Sequence, residues 1–140
     1  MESGCGIYRT GKEMQATCDK IAELKQRYRN LHLDDHSRGW NTEWLLALEL
    51  GYQLDVAQAM VHSALQRRES RGSHQRIDGF EERDDVNFLK HSLANYVVDG
   101  PPRITYGDVC ITHSQPGKRV YGAAGEAADA ARHQQEGGRG

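Results

Sequence analysis

The sequence lacks most features that identify common protein classes. No run approaches the ~20 consecutive apolar residues that a membrane-spanning helix needs, and the N-terminal segment lacks the apolar core of a secretion signal. Lysine plus arginine number 18 against 20 aspartate plus glutamate, so the formal charge of −2 argues against a protein built mainly to hold nucleic acid. The composition therefore predicts neither direct membrane insertion nor a nucleic-acid partner.

Cysteine is scarce as well. The three cysteines, Cys5, Cys18 and Cys110, form no C-x-x-C pair and are too few and too far apart for a disulfide framework. An odd number of cysteines without an export signal favours a reducing compartment. We interpret all three as small, partly buried hydrophobic residues.

The familiar catalytic and phosphate-binding motifs are missing too. The sequence contains no G-x-G-x-x-G, G-x-x-x-x-G-K-[ST], G-x-S-x-G or H-E-x-x-H. His32 and His36 have the spacing of two metal ligands on a helix, but their segment has no helical pattern and no third ligand, so we predict no metal site. Two weak acid–base pairs can be drawn: Glu69 with His74, and Asp84 and Asp85 with His91.

The first half of the sequence carries a strong helical pattern. Apolar residues recur on one face over residues 12–30, and Thr10 with Glu13 has the spacing of a capping box. A second helix is predicted to open at Asn41 and to continue to Ser70, with Gly72 ending it.

This second helix is apolar on more than one face. Leu45, Tyr52 and Val56 share one face, while Leu54 and Val61 widen the apolar surface beyond a single stripe. Such a helix has to be covered on two sides, either by the downstream β segment or by a third helix outside this chain. The first residues resemble the end of an earlier element, so we favour the missing helix and expect the chain to be a fragment.

The second half of the sequence has a different character. Residues 73–85 are polar and highly charged, which predicts a loop. Alternating β-forming residues at 88–98 and 103–112 flank Asp99-Gly100-Pro101-Pro102, which predicts a β-hairpin. We therefore expect a mainly α fold, with a helical-bundle portion over 1–72, a charged loop and extended hairpin over 73–122, and a flexible Ala/Gly-rich tail over 123–140.

The densest charged segment lies at the end of the second predicted helix. Clustered guanidinium groups suit phosphate, but Asp78 and four further acids follow at once, so the local charge is close to neutral. We therefore favour a fixed network of ion pairs and hydrogen bonds over a phosphate site. Its predicted members are Arg67, Arg68, Glu69, Arg71, His74, Arg76 and Asp78.

Several stretches, taken in order, resemble one known family. They are GCGIYRT at 4–10, NT-x-x-L at 41–45, RRESRGSHQRID at 67–78, ERDDVNFLKHSL at 82–93 and KRVYG at 118–122. Together they are similar to the C-terminal domain of the flavoprotein subunit of bacterial fumarate reductase, a relative of succinate dehydrogenase. The residues at 82–91 favour fumarate reductase over succinate dehydrogenase. The sequence departs from the family pattern at Gly11 and at 114–116, and these departures concern the geometry of local turns.

The resemblance implies a parent subunit that carries covalent FAD and reduces fumarate to succinate with electrons from an iron–sulfur subunit. That complex would place the chain in the cytoplasm, peripheral to the inner face of the bacterial membrane. The family's flavin, substrate and catalytic residues lie upstream of the matched region, so no catalytic, cofactor or metal residue is assigned here and no catalysis is expected from this chain alone.

The resemblance implies instead a structural role, supporting the flavin domain and contributing to subunit contacts, with the charged network at that junction. The alternative is a stand-alone helical adaptor or an anion-binding module.

Overall fold

The computed structural model describes residues 1–113, of which Met1–Val109 form one compact unit. The predicted tail over 123–140 and the KRVYG stretch lie outside the described residues. In chain order the elements are α1 (Glu2–Cys5), β1 (Tyr8–Arg9), α2 (Gly11–Tyr28), α3 (Thr42–Gln66), β2 (Gln75–Arg76), α4 (Asp85–Phe88), β3 (Lys90–Asn95) and β4 (Arg103–Asp108). The predicted order of long helices followed by a hairpin is confirmed.

α2 begins where its capping pattern predicts. The Thr10 hydroxyl accepts a hydrogen bond from the backbone N–H of Glu13 at 3.2 Å and donates one to the Glu13 carboxylate at 2.8 Å. The first of these bonds satisfies a backbone donor that the first turn of a helix leaves unpaired. Of the cysteines, Cys5 and Cys18 are buried, whereas Cys110 is exposed, contrary to its interpretation as a partly buried residue.

α3 starts as predicted but ends four residues before Ser70. Its N-cap is Asn41, whose side-chain oxygen accepts a hydrogen bond from the Trp44 backbone N–H at 2.7 Å. Arg67 leaves the helix with φ −82° and ψ 104°, because two side chains bind its carbonyl oxygen. The prediction that Gly72 ends the helix is wrong: with φ +59°, which glycine adopts without strain, Gly72 lies in a tight turn.

α2 and α3 pack against each other and, together with α1, enclose the core. The core residues are Cys5, Met14, Cys18, Ile21, Val61 and Ala64. The helices also approach closely at Gly51, where an added Cβ would lie 2.6 Å from the Tyr28 hydroxyl oxygen. Gly51 therefore marks a close contact with a neighbouring helix, one of the two uses that the sequence suggests for it.

The outer face of α3 stays exposed. The residues Tyr52, Val56 and Met60 are 68%, 59% and 53% exposed, and together with Met1 and Cys5 they line a groove of about 520 Å³ between α1 and α3. The hairpin reaches α3 at its C-terminal end, where the Tyr106 hydroxyl donates to the Gln66 carbonyl oxygen at 3.4 Å. Within residues 1–113 the apolar face that requires a second cover therefore has none.

The hairpin is present, with shorter arms than predicted. β3 and β4 are antiparallel and pair from Lys90 with Asp108 to Asn95 with Arg103. The sequence pattern did not predict a second pair of strands, which is parallel. In it Tyr8–Arg9 lies beside Gln75–Arg76, and the latter strand falls within the segment predicted as loop. No helix within residues 1–113 combines the length and the hydrophobicity needed to cross a bilayer.

Candidate functional site

Glu69 lies at the centre of the charged segment, just beyond the end of α3, and its side chain is completely buried. Arg71 donates to both carboxylate oxygens, from Nε to Oε1 at 2.8 Å and from Nη2 to Oε2 at 3.0 Å. The Arg67 guanidinium forms a second ion pair with Oε1, and the Asp84 backbone N–H donates to Oε2 at 2.8 Å. Both oxygens are thus saturated by donors, which fixes the geometry of the carboxylate.

The acidic stretch that follows the arginines pairs with them. Arg71 Nη2 donates to Asp85 Oδ1 at 2.6 Å, and Arg83 Nη2 donates to Asp85 Oδ2 at 2.6 Å. The Asp84 side chain caps α4 by accepting from the Asn87 N–H at 3.0 Å. Both acids are engaged in these contacts, so nothing in the geometry supports their pairing with His91.

Arg67 connects the end of α3 to the start of the hairpin. Its Nη1 donates to the Phe88 carbonyl oxygen at 2.9 Å, and its Nη2 donates to the Lys90 carbonyl oxygen at 2.6 Å and to Ser92 Oγ at 3.2 Å. The guanidinium also lies over the Phe88 ring, 5.6 Å from the centroid. The Arg67 side chain therefore joins the end of α3 to α4 and to β3.

A second carboxylate centre forms around Asp78. Arg76 donates to it twice, from Nε to Oδ1 at 2.7 Å and from Nη2 to Oδ2 at 2.8 Å. The Gly11 backbone N–H donates to Oδ2 at 2.6 Å, so the Asp78 carboxylate lies at the N-terminus of α2, where the helix dipole favours a negative charge. The Arg76 guanidinium also lies over the Phe80 ring, 4.9 Å from its centroid.

His74 lies between Arg9 and the Arg67 carbonyl oxygen, and these two contacts fix its tautomer. Its Nδ1 lies 2.7 Å from Arg9 Nη1, and its Nε2 lies 3.1 Å from the Arg67 carbonyl oxygen. Because a guanidinium only donates and a carbonyl only accepts, Nδ1 accepts and Nε2 carries the proton. Both nitrogens are engaged with these groups, so the suggested acid–base pair of His74 with Glu69 does not form.

Ser70 completes the packing of this segment. Its hydroxyl donates to the Phe80 carbonyl oxygen at 2.8 Å and accepts from the Arg76 backbone N–H at 2.8 Å, while its own N–H donates to the Glu82 carbonyl oxygen at 3.0 Å. Within residues 1–113, no buried side-chain nitrogen or oxygen lacks a hydrogen-bond partner.

The pKa values near Glu69 follow from burial and pairing. Burial alone would raise the pKa of Glu69, but the hydrogen bonds from Arg71, the Asp84 N–H and Arg67 outweigh it and hold this pKa below its usual value. The hydrogen bond to Glu69 raises the pKa of Arg71 above that of a free guanidinium, although burial opposes this shift. This part of the network is therefore fully charged at neutral pH.

The pKa values of Asp78 and His74 are lowered for different reasons. Hydrogen bonds from Arg76 lower the pKa of Asp78 to about 2. Burial lowers the pKa of His74, and the nearby charges of Arg9, Arg76 and Arg67 lower it further, while the hydrogen bond to the Arg67 carbonyl oxygen opposes this shift without reversing it. His74 is consequently neutral at pH 7, in agreement with the tautomer that its contacts require.

Six of the seven predicted residues meet in this network, which we call the arginine–carboxylate network: Arg67, Glu69, Arg71, His74, Arg76 and Asp78. Arg68 lies outside it, exposed and without a hydrogen bond or ion pair among the described residues. The network also contains four groups outside the predicted set, namely Arg9, the Gly11 N–H, Ser70 and the Asp84 N–H. Arg9, Ser70 and Asp84 lie within the stretches that carry the family resemblance, which is a signal that could have pointed to them.

The chemistry open to this network is limited. Its carboxylates are saturated by arginines and backbone N–H groups, so they are not available for proton transfer or for a ligand. His32 and His36 lie in an exposed loop with ring centroids 6.3 Å apart, and residues 1–113 contain no group of three potential metal ligands. The arrangement fixes the relative positions of α3, the N-terminal segment and the hairpin.

Comparisons with known proteins identify close relatives. A family model described as "Fumarate reductase flavoprotein C-term" matches residues 1–121. The fumarate reductase flavoprotein subunit of Haemophilus influenzae is 59% identical over 131 residues, covering 94% of this chain and 22% of the relative. That of a Serratia strain is 55% identical over 139 residues, covering 99% of this chain and 23% of the relative.

The fold has a close counterpart among solved structures. An Escherichia coli quinol fumarate reductase that carries a substitution matches with a TM-score of 0.82 and 56% identity, over 86% of this chain and 21% of that chain. The succinate dehydrogenase flavoprotein subunit of Rickettsia felis is more distant, at 34% identity over 86% of this chain. The chain thus spans between a fifth and a quarter of the length of the relatives it matches.

Proposed function

Because this chain belongs to the family of fumarate reductase flavoprotein C-terminal domains, we propose that it is the C-terminal structural domain of such a subunit. In this role it supports the FAD-binding domain and contributes to subunit contacts in a complex that interconverts fumarate and succinate. The observation that carries the proposal is a family match over residues 1–121, together with a site whose groups are engaged in fixing structure.

FAD belongs, in this proposal, to the parent subunit, where it is covalently bound. The residues that the structure describes do not fit a flavin site of their own. The sequence lacks the G-x-G-x-x-G loop that cradles a dinucleotide, and the buried charged groups of the arginine–carboxylate network already satisfy one another. We therefore assign no step of the reaction to this chain.

The exposed face of α3 is the surface we propose for contact with the rest of the subunit. Tyr52, Val56 and Met60 lie along one side of the groove, and an exposed apolar patch of this kind marks an interaction surface. Since the chain spans less than a quarter of its relatives, the remaining length of such a subunit provides the cover. The iron–sulfur subunit would be a further partner, and the complex would hold the chain at the inner face of the bacterial membrane.

A chimera tests this proposal. The region of the Escherichia coli fumarate reductase flavoprotein subunit that matches this chain is replaced by it, and covalent flavin, complex assembly and fumarate reduction are measured. We expect the chimera to assemble and turn over. A chimera that folds its flavin domain yet neither assembles nor reduces fumarate would contradict the proposal.

The network's role at the junction is tested in the same chimera. Arg71→Ala removes both contacts to Glu69 and is expected to lower flavin content, assembly or turnover, whereas Arg68→Ala, at an exposed position, is the matched control. If all three measurements stay at the unsubstituted level in Arg71→Ala, the network has no role at the junction.

The alternative of a helical adaptor or an anion-binding module is not favoured, because Arg67, Arg71 and Arg76 are all held by carboxylates of the chain itself. Titration of the purified chain with fumarate, FAD and RNA checks this point. We expect no binding and no retained flavin; saturable binding of RNA would favour the alternative.

A further inference from the structure

We propose that His74 is an acid-sensitive latch: when its Nδ1 takes up a proton, the N-terminal segment (residues 1–9) is released from β2 and from the end of α3. This inference concerns the chain itself and does not depend on the proposed function.

The latch lies where three parts of the chain meet. His74 is 9% exposed and is clamped between Arg9, in β1, and the Arg67 carbonyl oxygen, just after α3. Beside it, β1 is held to β2 by two backbone hydrogen bonds of 3.1 Å, from the Gln75 N–H to the Ile7 carbonyl and from the Ile77 N–H to the Arg9 carbonyl. The imidazole and this short parallel pair hold β1, while α1 is also held against α2 by the close approach of Gly4 to Thr17.

The charges that surround His74 oppose a proton on its ring. Arg9 from β1, Arg67 from the end of α3 and Arg76 from β2 all act on it, and all are positive. The carboxylates of the network make no hydrogen bond to the ring: Glu69 is paired with Arg67 and Arg71, and Asp78 is paired with Arg76. A proton on Nδ1 would also point a donor at the Arg9 donor 2.7 Å away. The ring therefore accepts the proton only after Arg9 has moved away.

The direction of the pH effect follows from this competition. In the latched state the pKa of His74 is lowered by burial and by the arginines, whereas in the released state the ring has its ordinary pKa of about 6.5. The latch is therefore intact above this pH and is weakened as pH falls below it. With the latched ring neutral throughout, the released population rises by up to about tenfold between pH 7.5 and pH 5.5.

Release would change what the groove between α1 and α3 exposes. Met1 and Cys5, which line one side of that groove, belong to the released segment. Cys5 also belongs to the core cluster that contains Met14 and Val61. Mild acid would thus open the N-terminal edge of the core while the contact between α2 and α3 persists.

Amide hydrogen exchange of the 140-residue chain tests the latch, with protection factors compared at pH 7.5 and 5.5. We expect protection of the Gln75 and Ile77 amides to fall by up to about tenfold, while the Val61 amide in α3 keeps its protection. Equal protection at both pH values, or an equal loss at Val61, would overturn the proposal.

Variants separate the latch from other titrating groups. His74→Gln removes the titrating ring and is expected to abolish the pH-dependent loss at Gln75 and Ile77, whereas His91→Gln, at an exposed position in β3, should behave as the unsubstituted chain. If His74→Gln retains the full loss, His74 is not the latch.

A direct readout keeps the test decisive if His74→Gln fails to fold. The ring nitrogens of His74, followed by NMR, should report the Nε2–H tautomer at pH 7.5 and a pKa below the ordinary 6.5. Arg9→Gln retains an amide donor but removes the charge, so it should raise the pKa of His74 relative to the unsubstituted chain. A ring that titrates at or above 6.5, or one unaffected by Arg9→Gln, would contradict the proposal.

Discussion

Arg71 binds both carboxylate oxygens of Glu69, whose side chain has no exposed surface. Removing one partner of a buried ion pair leaves an uncompensated buried charge. The free-energy cost of that charge is far larger than the net stabilisation that the intact pair provides. We therefore expect Glu69→Gln to lower the free energy of unfolding by about 3 kcal/mol, as measured by urea denaturation of the 140-residue chain. Glu49→Gln, an exposed position in α3, is the control, and a loss below about 1 kcal/mol at Glu69 would contradict the structure.

The adjacent residues Arg67 and Arg68 provide a matched pair. Arg67 binds Glu69 and two carbonyl oxygens at the start of the hairpin, whereas Arg68 is exposed. We expect Arg67→Ala to destabilise the chain by about 3 kcal/mol and Arg68→Ala to change stability by less than about 0.5 kcal/mol. Urea unfolding of both variants decides the point, and equal effects would show that the network is not what stabilises this segment.

These two arginines also show what the sequence reveals about the site and what it does not. Their clustering with acids indicated that the charges pair among themselves, and Arg67 is paired with Glu69, but the clustering gave no reason to prefer Arg67 over Arg68. That choice depends on where α3 ends, and α3 ends at Gln66 because His74 and Arg76 bind the Arg67 carbonyl oxygen. Helical periodicity records local preference and carries no information on such distant partners.

Some elements of the fold could likewise be predicted from the sequence and others could not. The start of α2 could be predicted from the sequence, since Thr10 and Glu13 interact within one turn of the helix. The β1–β2 pair could not be predicted, because two-residue strands are too short to show an alternating pattern. The paired residues, such as Tyr8 and Gln75, also lie more than sixty positions apart in the sequence.

The contact between α1 and α2 depends on the absence of a side chain at Gly4. An added Cβ there would lie 1.9 Å from Thr17 Oγ1, a hydroxyl held by its hydrogen bond to the Glu13 carbonyl at 2.8 Å. We expect Gly4→Ala to destabilise the chain by about 1–3 kcal/mol through overpacking. In the double variant with Thr17→Ala most of that loss should be recovered; additive effects in a double-mutant cycle would argue against the contact.

Acid should weaken the attachment of β2 to α2 through Asp78. The pKa of this carboxyl is about 2, below its ordinary value of 3.8, because Arg76 and the Gly11 N–H donate to it. Its contribution to stability is therefore complete above about pH 4 and is lost as pH falls toward 2. In Asp78→Asn the urea midpoint should fall less steeply between pH 4.5 and pH 3 than in the unsubstituted chain. Asp108→Asn, at an exposed position, should leave that slope unchanged, and an equally steep fall in Asp78→Asn would contradict the assignment.

The exposed face of α3 allows stability to be separated from assembly. Val56 is 59% exposed within this chain but lies in the groove that we propose is covered in the complete subunit. Val56→Asp should therefore change the free energy of unfolding of the isolated chain by less than about 0.5 kcal/mol, because most of the side chain is exposed to solvent.

In the Escherichia coli chimera the same substitution should sharply reduce assembly, since a carboxylate would be buried without a partner. Val86→Asp is the matched control, because it makes the same chemical change at a residue of α4 that is 88% exposed and lies outside the groove. Equal yields of assembled complex from the two variants would show that this face is not the covered surface, and a loss of stability in the isolated Val56→Asp chain would show that the face is already packed.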